Sequence, residues 1–195
     1  MTANGTDGGS TSTSAAGGCP YNPATSPSVT EWSAAVFGEL HDWAARYAGR
    51  WERWDPEYLV LTIDAVDGKA IEPIVIDTCE EELTLGFGYW ECDFPDDMIR
   101  NDDDSRRASK AAMTLAEAWL EDHVATAIYF DEHDKWCGSR LIETRNDIAR
   151  LADIAWINFL RPSRVEIRKR DRSAWQSFPL VDSDLIAAVT ALLKL

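Results

Sequence analysis

The sequence predicts an α+β protein: an antiparallel sheet, made of a meander plus a hairpin, with helices packed mainly on one face. Three observations carry this. Apolar residues alternate at period two in short runs, as in Leu59, Leu61 and Ile63, or Leu83, Leu85 and Phe87. Turn residues such as Asp67-Gly68 join neighbouring runs, so those strands run antiparallel. Longer stretches at helical spacing lie between and around them.

Residues 1–28 are rich in Gly, Ser, Thr, Ala and Pro. They bury too little apolar area to offset ordering, so a disordered polar tail is expected, followed by one α+β domain over 29–195. Within the tail, Cys19-Pro20-Tyr21-Asn22-Pro23 is the one stretch with the look of a short docking segment. Thr30 caps a helix that runs to about residue 48, with Trp32, Val36, Leu40, Trp43 and Tyr47 on one stripe. Gly49 can end it. Residues 50–56 read as an aromatic connection that Pro56 stops.

Two strands follow, over 58–64 and 70–77. Pro73 lacks an N–H, which marks the second as an edge or bulged strand. Residues 80–94 read as one long strand ending in aromatics and acids. Gly86-Phe87-Gly88 lies inside that strand and suggests a bulge or close packing rather than a phosphate loop. Residues 95–104 form an acidic loop with five Asp and one Arg. A helix over 105–122 buries Ala108, Ala111, Ala112, Leu115, Ala118 and Trp119. Strands over 124–130 and 135–142 flank a tip at Asp131-Glu132-His133-Asp134. Residues 146–159 fit either a helix or an irregular buried segment. A strand over 164–170 turns Val165 and Ile167 inward, and Ser183 caps a last helix over 184–195.

The charge is lopsided. The chain carries 34 acidic and 19 basic side chains, net −15. Residues 1–104 hold 21 acids and 5 bases, so the excess lies in that half. Such a field repels phosphate backbones and anionic membranes, so neither nucleic acid nor membrane is expected as a partner. It speeds encounter with a basic protein. Salt adaptation accounts for the acidity equally well. The four cysteines form no CxxC pair. Met1 opens a polar segment with no apolar core of signal-peptide length, so free thiols in the cytoplasm are expected.

No constellation carries chemistry clearly. Cys79, Cys92 and Cys137 match no closed zinc pattern, so no metal and no cofactor are expected. Cys92 sits between Glu91 and Asp93, whose charge suppresses a thiolate. Glu91 and Asp93 project to one face of a strand, and a hydrolase would pair one of them with His123 or His133. The basic run Arg161, Arg164, Arg168, Lys169, Arg170, Arg172 most simply complements the acidic half within the chain. The segment 90–97 joins hydrophobic anchors to dense charge. An interface there would use Trp90 and Phe94 as anchors, with Glu91, Asp93, Asp96 and Asp97 meeting a partner's cations.

Trp90-Glu91-Cys92-Asp93-Phe94, the helix after it, and Trp136-Cys137-Gly138-Ser139 in the following hairpin resemble small bacterial proteins of the immunity type, encoded beside polymorphic toxins. Acids and a thiol stand here where that pattern carries histidines. The resemblance spans about residues 58–175. It implies an acidic, non-catalytic domain that binds and blocks a basic toxin or effector.

Overall fold

In a computed structural model the chain is described over residues 18–54, 56–66, 69–94, 104–151, 153 and 161–193. Six strands form an antiparallel meander in chain order: β1 (Cys19–Pro20), β2 (Arg50–Trp54), β3 (Tyr58–Val66), β4 (Lys69–Asp77), β5 (Leu83–Phe87) and β6 (Trp90–Phe94). A second antiparallel sheet has the order β10 (Gln176–Pro179), β9 (Arg164–Arg168), β7 (Ala125–Phe130), β8 (Trp136–Ile142). The described helices are α1 (Glu31–Ala45), α2 (Asp104–Leu120), α3 (Arg145–Ala149) and α4 (Leu185–Leu193). The class is α+β, with the strands divided between two sheets rather than gathered in one.

The division follows the core. Leu59, Leu61, Ile63, Ile74, Ile76, Leu83, Leu85 and Phe87 point to the inner face of the first sheet and meet Val36, Leu40 and Trp43 of α1 and Ala108, Ala112 and Trp119 of α2. A second cluster gathers Ala127, Tyr129, Val165 and Ile167 with Ile148 on α3 and Val189 on α4. The first cluster runs to Val124 and the second starts at Ala125. Each buried Leu or Ile contributes about 1.5–3 kcal/mol, so either cluster is a substantial core.

Several elements differ from the sequence expectation. Residues 80–94 are not one strand. A 3-10 turn at Cys79–Glu81 leads into β5, and β5 and β6 form a hairpin across Gly88 and Tyr89. Both turn residues have positive φ, 59° and 67°, the signature of a tight two-residue hairpin loop. Residues 50–54, expected as a connection, form β2, because Trp51 faces the core. Cys19–Pro20 pairs with β2 and Tyr21 packs edge-on against Phe37 at 5.2 Å, so this part of the expected tail is docked. Of the two forms expected from Pro73, the bulged strand is the one found: residues 71–73 of β4 face a single residue of β3 between the pairs Ile63–Ile74 and Ala65–Ala70, and β4 is central rather than an edge. Gln176–Pro179 is a strand that the sequence reading left unassigned. Of the ambiguous stretch 146–159, α3 covers its start, while 152 and 154–159 lie outside the described residues, as do Asp67 and Gly68.

Helix α1 starts as expected. The Thr30 hydroxyl accepts the Ser33 N–H at 3.1 Å. Ser33 and Thr78 share a buried hydroxyl contact of 2.7 Å, and Thr78 also meets both the N–H and the C=O of Leu59. That node fixes α1 on the sheet. The helix ends through Ala48, at φ 53°, while Gly49 N–H reaches back to Ala44 C=O at 2.9 Å. A left-handed alanine is strained, so Ala48→Gly is expected to stabilise by about 1 kcal/mol, or a rise of roughly 2–4 °C in Tm. Gly49→Ala should do the opposite, because its Cβ would fall 2.8 Å from Leu61 Cδ1. Thermal melts of the two variants check both signs.

Candidate partner-binding face

Register determines what the outer face of the first sheet displays. Leu83, Leu85 and Phe87 lie opposite Phe94, Cys92 and Trp90. These residues face the core, where Trp90 and Phe94 are half-buried. The residues between them point the other way. Two cross-strand rows result: Val75–Gly86–Glu91 and Asp77–Thr84–Asp93. Glu91 and Asp93 thus share an exposed face, as period two requires. Trp90 and Phe94 pack against the core from the opposite face, and at the hairpin end Trp90 also lines the groove that Glu91 lines. Asp96 and Asp97 lie outside the described residues.

The outer face is concave. A trough of about 390 Å³ is lined by Val75, Asp77, Cys79, Glu80, Glu82, Thr84, Gly86 and Glu91. A neighbouring groove of about 710 Å³ runs from Val75, Gly86 and Glu91 across the hairpin tip to Trp136, Gly138 and Ser139 of β8. The two share Val75, Gly86 and Glu91 and are continuous. Neither lining contains a basic residue or a histidine. Thr84 donates to Asp93 at 2.6 Å, and Cys79 N–H donates to Asp77 at 2.7 Å.

Burial pushes the Asp77 carboxyl above the usual aspartate range, against the pull of that Cys79 hydrogen bond. Its folded-state pKa therefore exceeds its unfolded value. Protonated Asp77 favours the folded state, and this contribution is lost as pH rises from the unfolded value through the folded one. Asp77→Asn keeps an oxygen for the Cys79 N–H and removes the ionisation. The variant should lose this part of the pH dependence, which sets in above the ordinary aspartate range, with Tm at pH 7 equal to or above that of the parent. Melting curves from that range up to pH 7 test the sign. The Cys79 thiol is raised by burial first, then by Asp77 and Glu80, so it rests as a thiol rather than a nucleophilic thiolate.

A bulge places the aromatic wall on β8. Tyr129 pairs with Gly138 and Phe130 with Trp136, leaving Cys137 as the extra residue. Straight alternation from Leu141 and Ser139 would turn Cys137 outward and Trp136 inward. The bulge reverses that parity, so Cys137 enters the second core and Trp136 reaches the groove, 53% exposed. Tyr89, at the tip of the hairpin, is 69% exposed.

The second sheet grips the hairpin from the other side. Arg168 lies between the rings of Tyr89 and Trp175, at 4.7 and 4.2 Å, and its Nε donates to Glu166 at 2.5 Å. Arg172 pairs with Glu72 of β4 at 2.9 Å, and Arg170 with Asp122 at 3.6 Å. Of the basic run, Arg172 thus reaches the acidic half, while Arg164, Arg168 and Arg170 pair with Asp134, Glu166 and Asp122 outside it.

The groups of the hydrolase alternative are dispersed. His123 and His133 are exposed beside Glu121 and Glu132, and neither lines the trough or the groove that Glu91 lines. Among the described residues no cluster of His, Cys, Asp or Glu is placed to hold a metal ion, and no helix is long and apolar enough to cross a membrane. None of the four cysteines is in a disulfide. Sequence reasoning missed Glu72, Asp77, Glu80, Glu82, Tyr89 and Trp136 as members of this face. The signal for Tyr89 was present: the apolar parity changes from odd positions (83, 85, 87) to even ones (90, 92, 94) across two residues. No family model, curated protein or solved structure matches the chain.

Proposed function

We propose that the protein is a non-catalytic, cytoplasmic binding protein of the immunity type. It blocks a basic toxin or effector by laying the acidic outer face of the first sheet against it. One observation carries this reading. Carboxylates from β4, the 3-10 turn, the segment after it and β6 converge on a continuous concavity whose lining holds no cation. A basic surface entering it gains long-range attraction and local pairing together.

Positive φ fixes the direction of three side chains at or beside this face: Glu80, Glu81 and Tyr89 have φ of 55°, 60° and 67°. In this reading Glu91 and Asp93 supply charge, Tyr89 and Trp136 supply exposed aromatic contact, and Trp90 and Phe94 brace the hairpin from below. Asp96 and Asp97 add charge in the adjoining sequence.

The test is retention of the neighbouring gene's product on the immobilised protein, eluted with a salt gradient. A charge-steered complex is retained at low salt and weakens as ionic strength rises. A protein whose acidity serves only salt tolerance retains nothing at any point of the gradient. That result would remove the binding reading.

A further inference from the structure

We infer that the groove between the hairpin tip and β8 receives an arginine side chain of the basic partner, stacked on aromatic rings and paired with Glu91. This rests on the binding reading above and names what the face selects.

The groove brings together two features that lysine and arginine use differently. Its rim carries Tyr89 and Trp136, both largely exposed. Among the described residues the other exposed large hydrophobics are Val181 and Ile186, away from this groove, so exposed aromatic surface is concentrated here. Its floor is Gly86. A Cβ there would meet only Trp90 C=O at 3.7 Å and Glu91 Cβ at 4.0 Å, so the missing side chain leaves a slot beside Glu91.

The carboxylates of the groove are not equivalent. Glu72 is already held by Arg172 at 2.9 and 3.0 Å. Asp93, just beyond the lining, accepts from Thr84. Glu91 has no hydrogen bond or ion pair among the described residues. It is the carboxylate free to take a ligand's charge.

A guanidinium suits this site because it is planar. It stacks on an aromatic face and offers two parallel N–H groups to one carboxylate. An ammonium is compact, strongly hydrated and does neither as well. The molecule already uses this combination on the neighbouring side of the same tyrosine, where Arg168 lies between Tyr89 and Trp175 and meets Glu166. Tyr89 remains 69% exposed with Arg168 in place, so ring surface is left for a second cation.

Full-length protein should be titrated calorimetrically with oligo-arginine and oligo-lysine peptides of equal length. The same titrations are run on Trp136→Ala and Gly86→Leu, with thermal melts confirming that each variant folds. Gly86→Leu fills the slot without touching a charge, and Trp136→Ala removes the rim without touching the floor. The arginine peptide should bind about threefold to tenfold more tightly than the lysine peptide. That preference should vanish in either folded variant. Equal affinity of the two peptides, no binding of either, or an arginine preference that survives in a folded variant overturns the inference. The two readings fail separately. If the neighbouring gene's product is retained by both groove variants but lost when Glu91 and Asp93 become Lys, the acidic face stands and the arginine slot does not.

Discussion

Trp119→Ala is expected to destabilise the protein by about 3–5 kcal/mol, the range for removing a fully buried large aromatic. Trp119 is 0% exposed, near the end of α2. Its ring stacks on Phe87 with centroids 4.5 Å apart and planes 22° from parallel. It also lies beneath Gly88, where a Cβ would sit 3.5 Å from the indole and 3.1 Å from Thr126 Oγ1. One side chain therefore joins α2, the end of β5 and the turn that holds Tyr89. Removing it opens a cavity under the hairpin tip, and the surrounding strands relax only in part. Trp119→Phe should cost far less, since the indole Nε1 has no hydrogen-bond partner to lose. Urea melts give both values. A Trp119→Ala loss below about 1 kcal/mol would mean that the hairpin is not seated on α2 in this way.

The second large effect is on binding. Glu91→Lys combined with Asp93→Lys should weaken the basic partner by about 30-fold to 1,000-fold, equivalent to roughly 2–4 kcal/mol of like-charge repulsion and lost pairing. Both side chains are exposed on β6, and only the Asp93–Thr84 hydrogen bond is lost within the protein. Stability should change by less than about 1 kcal/mol, so reduced affinity cannot be ascribed to unfolding. The variant should also show a shallower salt dependence, because two of the charges that steer encounter are reversed. Affinity measured at two ionic strengths separates the effects. An unchanged Kd would take Glu91 and Asp93 out of the interface.

Much of the fold was legible because its strongest signals are periodic. Leu59, Leu61 and Ile63, or Val165 and Ile167, bury one face of a strand and are read directly by alternation. The α1 cap at Thr30 was readable because a hydroxyl before a helical stripe has one common use. What escaped depends on changes of parity. The hairpin at Gly88-Tyr89 was read as a continuous strand because the usual Asn-Gly marker is replaced by a glycine followed by a bulky aromatic. Trp136 escaped because a bulge at Cys137 reverses its direction, and nothing local in the sequence announces that.

The candidate site was legible only in half. Glu91 and Asp93 are where alternation put them, yet Trp90 and Phe94 belong to the other face by the same rule. A strand turns residues one apart to opposite faces, which leaves Phe94 beneath the sheet, while Trp90 at the hairpin end lines the same groove as Glu91. Asp77, Glu80 and Glu82 join Glu91 only because β4 and β6 flank β5, which is a property of topology rather than of any motif.

The most direct measurement is an NMR footprint of the partner on isotope-labelled protein. Amide and indole shifts on adding the neighbouring gene's product should concentrate over residues 72–93 and 136–139. Shifts confined to α4, or to the Asp131–Asp134 tip and His123, with the first sheet's outer face silent, would contradict the account.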